Sequence, residues 1–252
     1  YEEGFGSYIW GDKFIMERFP MNRVIDNLYL LYTQIVFRGY HPSYIAKGDA
    51  WFANPDMIVG KMHRRTKHLF LETPSDKLKK SILSCYSYYN FEIPIKEKYI
   101  FMGECLDGGP WSNEKYVKLI GKIAEYVGYD NFLYKEHPRN PFKIENERIH
   151  TFDLSIPWEV IEFAQDLADK VCITSLSGAC INSKYLFSTK TKVICIWSMF
   201  ADDYRLFEIN KTKEFLAKLL KNHSDFLVVN NEERLFELLE GGIGVGAPRR
   251  KS

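Results

Sequence analysis

The residues equipped for chemistry lie in short polar stretches between long apolar ones. Lys135–Glu136–His137–Pro138–Arg139 puts a basic pair, Lys135 and His137, on alternate positions at what reads as a strand end. Pro138 stiffens the exit of the chain and biases His137 away from helix. Such a pair suits a phosphate; the plainer alternative is a histidine in a turn. Thr174–Ser175–Leu176–Ser177–Gly178–Ala179 joins an apolar run to a helix. The first amides of a helix lack intrahelical acceptors and carry partial positive charge. Hydroxyls and small residues there make a phosphate cradle without a metal, or else Ser175 and Ser177 simply cap the helix. Glu159 follows Pro157 and Trp158 in the first turn of another helix. A carboxylate there can accept from a ribose diol or merely complement the helix dipole. Glu2 and Glu3 stand in the Gly-rich turn Tyr1–Tyr8, as a general base fixed by backbone geometry or as a solvated acidic turn. Gly103 opens the loop Gly103–Gly109, which either borders a ligand or is a Gly-rich connection.

The elements that must position these residues are legible in the apolar periodicity. From about residue 96 the chain alternates strand and helix. Strands are expected at Lys98–Gly103, Asn131–Glu136, Arg148–Phe152, Lys170–Thr174, Lys192–Trp197 and Phe226–Val229. Helices are expected at Ser112–Val127, closed by Gly128, at Pro157–Leu167, from Ser177, and at Lys211–Leu220 and Glu232–Leu239. That alternation predicts an α/β domain, a doubly wound parallel sheet of Rossmann type covered on both faces, over residues 96–240. In such sheets ligands bind beyond the carboxyl ends of the strands, where Lys135, Gly103 and Ser175 fall. Residues 1–95 are less regular. A stripe at Met21, Val24, Ile25, Leu28, Leu31, Tyr32 and Ile35 reads as one helix. A short strand is expected over 68–72 and a helix from Thr73–Ser75 onward. This part reads as the later portion of an N-terminal, acceptor-side domain. Residues 241–252 read as a flexible, Gly-rich and then basic tail.

The composition narrows the class. Thirty-four Lys and Arg against 33 Asp and Glu give a formal charge of +1, so no nucleic-acid partner held by global electrostatics is expected. At 46% hydrophobic and 27% charged the chain folds. Five scattered cysteines make no CxxC pair; Cys172 and Cys195 lie in apolar runs and read as reduced core residues of a reducing compartment. The apolar runs are too short to span a membrane and no secretory leader is visible, so a cytoplasmic location is expected. The chain opens at Tyr1 with an acidic motif, and the natural start is expected to be absent. The basic stretch Lys61, His63, Arg64, Arg65, Lys67 and His68 reads as a solvated face or as a contact for acidic lipid or an anionic glycan.

Together and in this order, Glu2–Glu3–Gly4, Lys135–His137–Pro138, Glu159 and Ser175 with Ser177 resemble the motifs of the bacterial sialyltransferases of GT-B fold. The long gap between Glu3 and His137 resembles the capsule, lipooligosaccharide and polysialic-acid enzymes. The resemblance covers residues 1 to about 185. It departs from the family where Ser175–Leu176–Ser177, or alternatively Thr174–Ser175, stands in place of adjacent serines, which leaves open which two hydroxyls meet the phosphate. It implies two Rossmann-like domains facing across a cleft. It also implies a metal-independent, inverting transfer of sialic acid from CMP-sialic acid to a capsular or lipopolysaccharide acceptor glycan, at the cytoplasmic face of the inner membrane. In that scheme Glu3, with Glu2 as the lesser candidate, is the base and His137 faces the leaving phosphate. Lys135 contacts cytosine or phosphate, Glu159 the ribose and Ser175 and Ser177 the phosphate, with Pro138 and Gly103 at the donor. No metal site and no cofactor beyond the donor are implied; no Asp-x-Asp motif occurs. An apolar face left by missing strands would favour oligomers. The competing readings are a GT-B transferase with a UDP- or GDP-sugar donor, and a truncated, non-catalytic nucleotide-binding module.

Overall fold

The structure, a computed structural model, describes residues 50–52, 55–59, 66–68, 75–85, 95–103, 113–137, 144–152, 157–187, 190–203 and 209–241. Glu2, Glu3, Pro138 and the expected helix over 21–35 lie outside them. The chain divides into two compact units, residues 1–73 with 210–219, and residues 74–209 with 220–252. In the first unit β1 (Ala50–Phe52) pairs in parallel with β2 (Thr66–His68). Of the strand expected over 68–72 only His68 is described, as the last residue of β2.

The second unit carries a parallel sheet of six strands: β3 (Tyr99–Met102), β4 (Phe132–Lys135), β5 (His150–Phe152), β6 (Val171–Thr174), β7 (Lys192–Cys195) and β8 (Phe226–Val228). Their spatial order is β5-β4-β3-β6-β7-β8. Numbered within the domain this is 3-2-1-4-5-6, the order of a Rossmann-like sheet. β3, β4 and β6 are buried at every position, as strands covered on both faces must be.

Register assigns the two faces, because paired residues in a parallel ladder project to the same side. Tyr99 pairs with Phe132 and Phe101 with Tyr134, so these rings share one face. On that face lies α2 (Asn113–Val127), whose Tyr116 meets Phe101 edge-on at 5.5 Å. The Tyr99 hydroxyl donates to the Leu239 carbonyl of α6 (Glu232–Glu240) at 3.0 Å, which puts α6 there too. Met102 and Lys135 pair on the opposite face, as do Ile100 and Cys172. That face is covered by α3 (Trp158–Ala164) and α4 (Gly178–Phe187), which touch one another. The aromatic side is therefore sealed by packing, while the other side holds the polar groups.

The local signals explain most boundaries. Gly128 closes α2 at φ +84°, a region that side chains disfavour. Asn131 sits where its side chain can bond back to Val127 O, and Asn231 caps α6 by accepting from Arg234 N–H at 2.8 Å. The helix expected over 157–167 is shorter. Pro157 lies at its N-cap rather than within it, and Gln165 is extended. The Asp166 side chain accepts from Ala168 N–H at 3.0 Å, a turn that competes with further helix. Conversely, the last helix before β8, α5 (Ile209–Asn222), runs longer at both ends than its apolar stripe. α1 (Asp76–Cys85) follows Ser75 as expected. Among the described residues no helix is long and apolar enough to cross a membrane.

One ion pair anchors α4. The Lys184 side chain is fully buried and donates to Asp225 Oδ2 at 2.5 Å and to the Thr191 carbonyl. Asp225 and Thr191 immediately precede β8 and β7, so α4 is tied to the amino ends of two strands. Asp225 is 31% exposed whereas Lys184 is 0% exposed, so the partners are unequal when separated. Asp225→Asn removes the countercharge of a buried ammonium, which keeps the Thr191 carbonyl, and is expected to cost up to about 3–5 kcal/mol, the range for breaking a buried pair. Lys184→Met leaves a carboxylate that can reach water and should cost clearly less. Urea unfolding of both variants checks the asymmetry.

Candidate functional site

The strand order reverses between β3 and β6, and the carboxyl ends of strands at such a reversal are the usual ligand position in these sheets. Gly103 stands at the end of β3, Lys135 at the end of β4 and Thr174–Ser177 at the end of β6. Adjacent strands are about 4.8 Å apart, so these ends are close neighbours. Lys135, Glu159, Gly103, Ser175 and Ser177, named from sequence, thus belong to one end of one sheet. His137 follows two residues after Lys135 and is half-buried.

Lys135 is the unusual group. It is only 6% exposed, and its ammonium meets no hydrogen-bond acceptor or ion-pair partner among the described residues. Burial pulls its pKa below the usual lysine range, while Cys180, Glu159 and Cys172 beside it pull the other way. Those neighbours locate it: Cys180 lies in the first turn of α4, Glu159 in the first turn of α3 and Cys172 on β6. The Cys180 thiol is itself raised well above its ordinary range, by burial first, then by its hydrogen bond to Cys172 and by the charges of Cys172 and Glu162; Lys135 pulls it back. A thiol held up in this way stays protonated at neutral pH. Glu159 is then the carboxylate left to answer the Lys135 charge.

The loop after β6 is built from its own polar groups. Thr174 and Ser175 are fully buried and Ser177 is half-buried. The Thr174 hydroxyl accepts from the Ser177 N–H at 2.8 Å, and the Ser177 carbonyl accepts from Ile181 N–H at 3.3 Å, as an N-cap residue does. The Ser175 carbonyl accepts from the Cys195 thiol at 2.9 Å. The three hydroxyls are therefore not equivalent. Thr174 stiffens the turn, Ser175 lies inside, and Ser177 is the one at the helix mouth. Among the described residues, a Cβ placed on Gly178 would meet no atom within 4 Å.

Gly103 has a structural role of its own. Its N–H donates to the Lys135 carbonyl at 2.7 Å, the last rung joining β3 to β4. A Cβ there would stand 2.7 Å from the Tyr134 hydroxyl and 2.8 Å from the Lys135 carbonyl. The three buried free thiols, Cys172, Cys180 and Cys195, and Glu162 are neighbours of this site that the motif reading missed. The signal was present: Cys172 precedes, and Cys180 follows, the Thr174–Ser177 loop. Two open clefts of about 460 and 480 Å³ lie elsewhere, at the amino ends of β3, β4 and β5; they are lined by residues such as Lys98, Tyr126, Tyr129 and Arg148 and contain none of the candidate site residues. Among the described residues no group of three or more His, Cys, Asp or Glu side chains is placed to hold a metal ion.

Comparison with protein-family models, with curated proteins and with solved structures gives no match for this chain. The site combines a largely buried cation and a helix start at the switch point of a parallel sheet, an arrangement suited to an anion.

Two expectations follow. Lys135 has a lowered folded pKa, so between that value and the unfolded one the unfolded chain holds more protons; the buried charge costs stability at neutral pH, and the cost fades as pH rises through the folded pKa. Lys135→Met should therefore raise the thermal midpoint at neutral pH, by about 2–4 °C for each kcal/mol regained, and lose that advantage in alkali. Gly103→Ala should destabilise by about 1–3 kcal/mol, as overpacking does, because one of the two atoms it meets is backbone. Thermal melts across pH read both.

Proposed function

We propose that the chain binds a nucleoside monophosphate at the β3–β6 crevice and transfers sialic acid from CMP-sialic acid to an acceptor glycan, as an inverting, metal-independent transferase of GT-B type. The observation that carries the anion site is the Lys135 side chain, 6% exposed and beside the first turn of α4, with Glu159 as the carboxylate near it. A largely buried cation is unfavourable, and an anionic ligand would add to the compensation that Glu159 supplies. The order of the Glu2–Glu3–Gly4, Lys135–His137–Pro138, Glu159 and Ser175–Ser177 motifs selects the sialyltransferase reading from among nucleotide-binding activities.

In this reading CMP takes a single phosphate to the start of α4, with Ser177 and Lys135 around it. Glu159 accepts from the ribose hydroxyls. Glu3 removes the proton from an acceptor hydroxyl, and that oxygen attacks the anomeric carbon of sialic acid. The bond from that carbon to the phosphate oxygen breaks through an oxocarbenium-like state, and CMP leaves with the bonding pair. His137 donates a proton or hydrogen bond to the departing phosphate. Fixed donors of this kind stabilise developing charge without reorganising.

Calorimetric titration with CMP, UDP and GDP is the test, followed by donor turnover. CMP binding that Lys135→Met abolishes is expected. Glu3→Gln and His137→Ala are each expected to lower turnover by about 10²–10⁴-fold, the usual share of an acid–base group. Binding of UDP or GDP alone would favour a different donor. CMP binding without transfer or donor hydrolysis would favour a non-catalytic module.

A further inference from the structure

We infer that Glu159 is a specificity-determining residue, which makes the anion seat refuse a bare tetrahedral anion and favour a monophosphate that carries a pair of hydroxyls. The inference rests on the anion-site reading above and adds what that seat excludes. Lys135 ends β4, is 6% exposed, and lies by register on the face that α3 and α4 cover. Glu159 is half-buried in the first turn of α3, near enough for its charge to act on the Lys135 ammonium. The two interact through charge alone, with no hydrogen bond between them. They therefore face one another across a gap. Among the described residues the ammonium keeps its donors, and the carboxylate its acceptors, for another group. Glu162, one turn further along α3, acts on Cys180 rather than on Lys135.

Two classes of ligand meet this pair differently. A tetrahedral anion with no proton to offer can accept from the ammonium, but it then stands near a carboxylate of its own sign. What it gains at Lys135 is offset by repulsion at Glu159. A ribose monophosphate brings partners of both kinds: phosphate oxygens for the ammonium, and vicinal hydroxyls that donate to the carboxylate. Hydrogen bonds to an ionised group are roughly twice as strong as those between neutral groups, and partial burial strengthens them further. One carboxylate thus rejects the first ligand and holds the second. Discrimination of this kind needs a repulsive element as well as an attractive one, because both ligands satisfy Lys135 equally.

The test titrates wild type, Glu159→Gln and Glu147→Gln calorimetrically with sulfate, CMP and a dideoxyribose analogue of CMP, with sulfate also run as a competitor of CMP. Sulfate carries no proton at neutral pH to offer the carboxylate. Glu159→Gln should tighten sulfate about three- to thirty-fold, the scale of one nearby like charge, while CMP gains less or weakens. In wild type, loss of the two hydroxyls should cost about ten- to hundred-fold, the range for hydrogen bonds to a charged group. Glu159→Gln keeps a neutral acceptor, so the same loss should then cost only about two- to ten-fold. Glu147→Gln removes an equal charge from an exposed position at the amino ends of the strands and should change none of these values. Sulfate affinity unchanged or lower in Glu159→Gln, CMP gaining as much as sulfate, or a matching gain in Glu147→Gln would each overturn the role of Glu159 and leave the anion site standing. Equal binding of CMP and its dideoxy analogue by wild type would do the same, a readout that needs no variant to fold. No binding of CMP or sulfate by either wild type or Glu159→Gln would overturn the anion site, and this inference with it.

Discussion

An ammonium taken out of water must be compensated, and Lys135 has no ion-pair or hydrogen-bond partner among the described residues. Everything around it can be understood as a response to that one charge. Its backbone is locked, since its carbonyl takes the Gly103 N–H. Its side chain belongs to the face that α3 and α4 cover, not to the aromatic face sealed by α2 and α6. Glu159 approaches from one helix start and the first turn of the other lies beside it. Hydrophobic packing alone would favour an apolar residue at this strand end. A lysine there costs stability that an apolar residue would not.

The rest of the domain holds still what this charge needs. The Lys184–Asp225 pair, with the Thr191 carbonyl, ties the later turns of α4 to the amino ends of β7 and β8. α4 runs antiparallel to those strands, so fixing its far end fixes where its first amides stand. Cys195 and Thr174 then set the peptides of the loop itself. The polar contacts at both ends of α4 are buried, and in a close-packed interior such contacts define one arrangement rather than several. Buried thiols serve as weak donors here.

Much of this was legible in the residues. The alternation of apolar runs with helical stripes fixed the order of strands and helices from β3 to α6, because burial on both faces leaves a near-continuous hydrophobic strand signal. Lys135 and the Thr174–Ser177 loop stood out because polar residues directly after such strands fall at ligand-binding ends. Boundaries were less legible where a side chain competes with the backbone. The Asp166 turn cut α3 short, and no count of apolar positions weighs that competition. The different surroundings of Ser175, buried, and Ser177, at the start of α4, were not legible in the residues either.

By itself, then, the sequence determined the class of fold, the parallel sense of the sheet and the residues at its carboxyl ends, since these depend on local periodicity and chain order. Only the tertiary structure decided that Lys135 would be buried without a partner among the described residues, that Cys195 would hold the Ser175 carbonyl, and that Lys184 would find Asp225. Those outcomes join segments far apart in the chain. They follow from strand order and register, which place β4, β3, β6 and β7 side by side in space though their neighbourhood is written nowhere along the chain.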